Sequence, residues 1–166
     1  MSNLHYRKAQ MKTENIKCLL VHRGTRNIPK FKEFVGRILR YTHGHTVSII
    51  CTYPAEFLSE SICLASELET PESSIHRILV SENQCGEILQ LIKNIADDAD
   101  VVIVIGDEKL ATFFPLYFLQ NAVPNSQPDP NILNVVEEGE TVVVDTEAGT
   151  RDTLVSRDRA PFELYD

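Results

Sequence analysis

Four short apolar runs, at residues 18–21, 47–51, 78–80 and 101–105, alternate along the chain with segments whose apolar residues recur at helical spacing. Apolar runs of this length, interrupted only by Ser48, suit strands covered on both faces, because a sheet with one wet face shows a polar residue at every second position. Residues 29–42 place Phe31, Phe34, Val35, Ile38 and Leu39 on one helical stripe behind Pro29, whose fixed φ fits a first helical turn. Residues 54–69 do the same with Leu58, Ile62, Ala65 and Leu68, and residues 84–96 with Cys85, Ile88, Leu89, Ile92 and Ile95. Residues 109–120 hold Leu110, Phe113, Phe114, Tyr117 and Phe118, apolar around much of a helix; Pro115 is expected to bend it or to lie near its start. This alternation predicts an α/β fold: a three-layer sandwich with a mostly parallel central sheet flanked by helices.

Beyond Asn121 the texture changes to a Pro-, Asn- and Asp-rich loop. Residues 132–136 and 141–145 then read as a C-terminal β-hairpin turning through Glu137-Glu138-Gly139-Glu140, with a further short strand near 153–155. Residues 1–15 read as a tail and 16–166 as a single domain, long enough at 43% hydrophobic residues to build a sizeable core. No apolar stretch approaches the roughly 20 residues that cross a bilayer, so no membrane partner is expected. A net charge of −8 argues against a nucleic-acid surface, which draws its affinity from Lys and Arg. The four cysteines lack C-x-x-C spacing, which predicts buried free thiols, no metal and a cytoplasmic chain. His43-Gly44-His45 reads as a helix-ending turn, Asp97-Asp98 with Asp100 as a solvated turn, His76-Arg77 as a strand flank, and residues 145–152 as a polar turn without chemistry.

Ligands of parallel sheets bind beyond the carboxyl ends of the strands. Those ends offer His22-Arg23-Gly24 with Thr25 and Arg26, Thr52-Tyr53-Pro54, Ser81-Glu82, and Gly106-Asp107-Glu108. A guanidinium fork, an imidazole and a glycine side by side form the raw material of a phosphate site. The acids at 107 and 108 have two readings: a cap on the following helix, or an acid facing His22 and Arg23.

These fragments resemble the histidine phosphatase superfamily, and within it the short phosphohistidine phosphatases of the SixA type, from about residue 16 onward. The family's first strand ends Leu-Val-Arg-His-Gly/Ala; here Leu20-Val21-His22-Arg23-Gly24 carries the two functional residues in reversed order. Its Ser-Ser-Pro-x-x-Arg-x-x-x-Thr-Ala segment is similar to Thr52-Tyr53-Pro54 onward, with Phe57 near the arginine position and Ser61 at the threonine. Its Val-Gly-His-Glu/Asn-Pro strand end is similar to Ile105-Gly106-Asp107-Glu108, with Asp107 in place of histidine. Residues 134–145 look like the family's closing hairpin.

The resemblance implies a phosphoryl-transfer pocket of Gly24, Ser61, Gly106, Asp107 and Glu108, with His22 as the only nucleophile and Arg23 and Arg26 as phosphate ligands, and no cofactor. The departures point away from catalysis. Strand alternation sends His22 and Arg23 to opposite faces, so a guanidinium, which does not deprotonate, takes the nucleophile's position. Phe57 removes a phosphate donor, and Asp107 adds negative charge that can pair with Arg23 across the emptied pocket. The expected function is a pseudophosphatase binding a phosphoprotein or a small anionic ligand. The alternatives are a divergent phosphatase attacking through His22 and an unrelated Rossmann-like binder, for which no G-x-G-x-x-G is present.

Overall fold

A computed structural model describes residues 16–25, 27–53, 58–69, 74–79, 84–96, 98–122, 136–146 and 150–154. The element order is β1 (Cys18–Arg23), α1 (Ile28–Thr42), β2 (Val47–Tyr53), α2 (Leu58–Glu67), β3 (Ile75–Leu79), α3 (Gln84–Ile95), β4 (Val101–Gly106), α4 (Glu108–Ala122), β5 (Thr141–Asp145) and β6 (Thr150–Leu154). All strands join one sheet in the order β3-β2-β4-β1-β5-β6, with β1 to β4 mutually parallel and β5 antiparallel to both its neighbours.

Side chains on alternate strand positions divide the core in two. Leu19, Val21, Ile50, Ile78, Val102 and Val104 pack against Ile88 and Ile92 of α3 and Leu110, Phe114 and Phe118 of α4. Cys18, Leu20, Ile49, Val101, Ile103 and Ile105 pack against Phe34 and Ile38 of α1 and Leu64 of α2. The chain is therefore the three-layer α/β sandwich its periodicity predicted. Each large side chain fully buried in these layers contributes on the order of 1.5–3 kcal/mol, and the stripes of α1 and α3 supply them in register with the sheet. Among the described residues no helix is long and apolar enough to cross a membrane.

Four expectations need correction. The hairpin is formed by β5 and β6, not by residues 132–136: β5 pairs with β1 along one edge and β6 along the other, so neither edge is left for a third strand. Residues 131–135 lie outside the described residues, while residues 150–152, expected as turn, belong to β6. Helix α2 buries Ser61, Leu64 and Ala65 rather than the stripe through Leu58 and Ile62, a rotation of about one residue on the helical wheel. That rotation leaves Cys63 exposed, whereas Cys18 and Cys51 are buried as expected, and all four thiols are free. Of the two positions expected for Pro115, the structure has the interior of α4.

The opposite edge of the sheet is closed structurally. Gly44 adopts φ +78 after α1, and His45 Nδ1 donates to Asp100 Oδ2 at 2.8 Å while Thr46 Oγ1 donates to Asp100 Oδ1 at 3.0 Å. Asp100 is thus a clamp between two strand starts rather than a solvated turn residue. Although burial alone would raise it, bonds from His45 and Thr46 hold its carboxyl below the usual range.

Candidate functional site

Strands β1 and β4 are neighbours, yet the chain leaves β1 for α1 on one face and β4 for α4 on the other. That divergence is the topological switch point of the sheet, where a crevice opens between the two carboxyl ends. His22, Arg23 and Gly24 end β1 there, and Gly106, Asp107 and Glu108 end β4, with Arg23 directly beside Gly106 in the register.

Both halves of the crevice are occupied by the chain itself. Gly24 N donates to Gly106 O at 2.9 Å, stitching the strand ends together. A Cβ on Gly106 would meet Leu110 Cγ at 3.1 Å and Leu110 Cβ at 3.2 Å, so glycine is required there for Leu110 to pack into the core. Arg23 lies on the α4 side: Nη1 donates to Val136 O at 2.7 Å, and Nη2 lies 3.3 Å from Glu108 Oε2. Asp107 does not pair with Arg23. Its Oδ1 accepts from Leu110 N at 2.9 Å, making it the cap of α4, and its neighbour Glu108 takes the salt bridge because the first helical turn carries that side chain back toward β1.

His22 lies on the α1 side, fully buried. Its ring stacks on Phe34 with centroids 3.6 Å apart and planes inclined by 12°, and Nδ1 lies 3.0 Å from Thr141 Oγ1 on β5. Burial, helped by the charge of Arg37 and opposed by the Glu140 carbonyl, holds the imidazole down to about 3. It is therefore neutral at neutral pH.

The rim candidate Thr25 has three neighbours that the sequence did not single out: Glu60, Glu138 and Asn27. Glu60, in the first turn of α2, accepts from Thr25 N at 3.0 Å and brings Oε2 to 3.8 Å from His22 Nε2. Thr25 Oγ1 donates to Glu138 Oε1 at 2.9 Å and accepts from Asn27 N at 3.0 Å. Burial, opposed by the Thr25 amide and reinforced by Glu138, pushes the Glu60 carboxyl up to about 7. A carboxylate-bearing position next to a buried serine was the available signal, but a sequence separation of 38 from His22 hides it from any local pattern.

Ser61 is buried against β2, where its hydroxyl bonds the Cys51 thiol; burial pushes that thiol up against the pull of Ser61 and Arg77. Arg26, Phe57, Pro54, Ser81 and Glu82 lie outside the described residues. Among the described residues no group of three His, Cys, Asp or Glu side chains is arranged to hold a metal ion. No protein-family model matches this chain, and no curated protein or solved structure matches it either.

Proposed function

We propose that this chain is a histidine-phosphatase-like binding module without phosphoryl-transfer activity, in which the β1–β4 crevice receives a small anion or a phosphorylated partner. The observation that carries the reading is the division of His22 and Arg23 between the two faces of the sheet. In-line attack needs a nucleophile exposed to the phosphorus. His22 is fully buried under Phe34, and the residue facing the crevice is a guanidinium, which cannot attack. These facts weigh against the divergent phosphatase that would use His22.

Anion binding remains chemically accessible at Arg23. Its side chain is 25% exposed and the Glu108 side chain 54%, so the pair between them is a surface salt bridge worth about 0.2–1 kcal/mol. An incoming phosphate can displace that carboxylate while the bond to Val136 O keeps the guanidinium in place. Glu108 thus stands in for the anion.

Assays with phosphohistidine and p-nitrophenyl phosphate should give no turnover above background. Turnover abolished by His22→Ala would overturn the reading. Calorimetry with inorganic phosphate should show Glu108→Gln binding up to about fivefold more tightly than the parent, the gain expected from removing a surface competitor. Equal affinities would mean Arg23 takes no anion.

A further inference from the structure

On the α1 side of β1, two polar atoms face each other without a partner. His22 Nε2 and Glu60 Oε2 are both buried and unbonded, 3.8 Å apart. A buried polar group left without a partner is destabilising, so a facing pair calls for a proton between them. The other ring nitrogen determines where that proton resides. Nδ1 lies 3.0 Å from the Thr141 hydroxyl, which can accept a ring hydrogen, whereas Nε2 has no bonding partner. A neutral ring with its hydrogen on Nδ1 satisfies that bond and leaves Nε2 a bare acceptor. Opposite an ionised Glu60, two sets of lone pairs would confront each other; opposite a carboxylic acid, an O–H donor meets an acceptor.

We propose that Glu60 holds a proton which it donates to His22 Nε2 as the pair closes from its 3.8 Å separation, and that this shared proton latches the first turn of α2 to the end of β1 through Thr25. The turn is coupled because Glu60 Oε1 accepts from Thr25 N, and Thr25 in turn ties Glu138 and Asn27. When the acid ionises, its proton goes to water and Oε2 becomes an anion facing a lone pair. The carboxylate then swings toward the 11% of its side chain that is exposed, drawing on the Thr25 amide.

The groups facing the pair from each packed element mostly keep the ring neutral and the acid protonated, against the Thr25 amide and the Glu140 carbonyl. From α1, Arg37 opposes a second proton on His22. From the turn before β5, Glu138 opposes ionisation of Glu60, and Lys30 of α1 is held by the Glu138 carbonyl at 3.3 Å. Only the Thr25 amide favours the carboxylate. Thr141 on β5, Ile105 on β4 and the raised Cys51 thiol on β2 bring no charge. The latch borders the crevice assigned to the ligand but stands whether or not that crevice binds anions.

Nitrogen-15 NMR of the intact chain across pH 5 to 8 tests it. His22 should keep one tautomer, protonated at Nδ1, without titrating, while the Thr25 amide shifts with a midpoint near 7. Glu60→Gln supplies an N–H donor and a carbonyl in the same shape, so its Thr25 amide should match the wild type at pH 5.5 and show no midpoint. A His22 ring titrating between 6 and 7, a Thr25 midpoint near 4.5, or a Glu60→Gln variant that retains the midpoint would each overturn the proposal. Phosphate binding and turnover do not enter these readouts, so the latch can fail while the anion-site reading survives, and the reverse.

Discussion

Replacing Glu60 with glutamine should change how the stability of the fold depends on pH. Glu60 ionises near 4.5 when unfolded and near 7 when folded, so the stability it contributes is fully present below 4.5 and is lost as pH rises toward 7. His22 moves the other way, from 6.5 to about 3, so its contribution is present above 6.5 and is lost as pH falls toward 3. Between 4.5 and 6.5 the unfolded chain holds one proton on the pair, as imidazolium with carboxylate, and the folded chain also holds one, as imidazole with carboxylic acid. The two slopes cancel, and the pair contributes nothing to the pH dependence of the wild type in that window. Glu60→Gln removes one slope and leaves the other, because the unfolded variant then binds one proton more than the folded one. Its stability should rise relative to wild type by about 1.4 kcal/mol per pH unit, or about 2–3 kcal/mol across the window. Urea unfolding of both proteins at the two ends of the window measures this as a relative midpoint shift of roughly 1–2 M. All other titrations are common to both chains and drop out of the comparison. Parallel curves for the two proteins would refute the shared proton and the burial argument beneath it.

Two further substitutions separate packing roles from ligand roles at the end of β4. Gly106→Ala should destabilise by about 1–3 kcal/mol through contact with Leu110, and Leu110→Ala in the same chain should recover part of that loss; strict additivity in urea unfolding would deny the contact. Asp107→Ala should cost about 0.5–2 kcal/mol through loss of the cap on α4, with phosphate affinity not reduced; weaker phosphate binding would instead make Asp107 part of the ligand site.

Most of the architecture was legible because it is written in short-range periodicity. The apolar runs became β1 to β4, and the stripes became α1, α3 and α4. What failed depends on partners far away in the chain. Strand β5 had to be matched to β1, whose residues lie more than 100 positions earlier, and nothing local distinguishes that pairing from a hairpin with residues 132–136. Helix α2 was rotated because its buried face follows polar contacts, Ser61 to Cys51 and Glu60 toward His22, that a hydrophobic stripe does not register. At the site, alternation along β1 correctly sent His22 and Arg23 to opposite faces. Choosing Asp107 over Glu108 as the partner of Arg23 overlooked that a cap turns its side chain onto its own helix.

The two carboxylates beginning α4 also bear on what a ligand must be. One is bonded to an amide of the first helical turn and the other to Arg23, so the places a free anion would seek are filled by anions attached to the same chain. A tethered group competes at an effective concentration in at least the millimolar range. Displacing the tethered carboxylate costs a simple ion up to about fivefold in affinity. A ligand that touches the rim at a second point is not diluted in this way. If the crevice takes an anion as proposed, the two tethered carboxylates favour occupants that arrive as part of something larger over free ions.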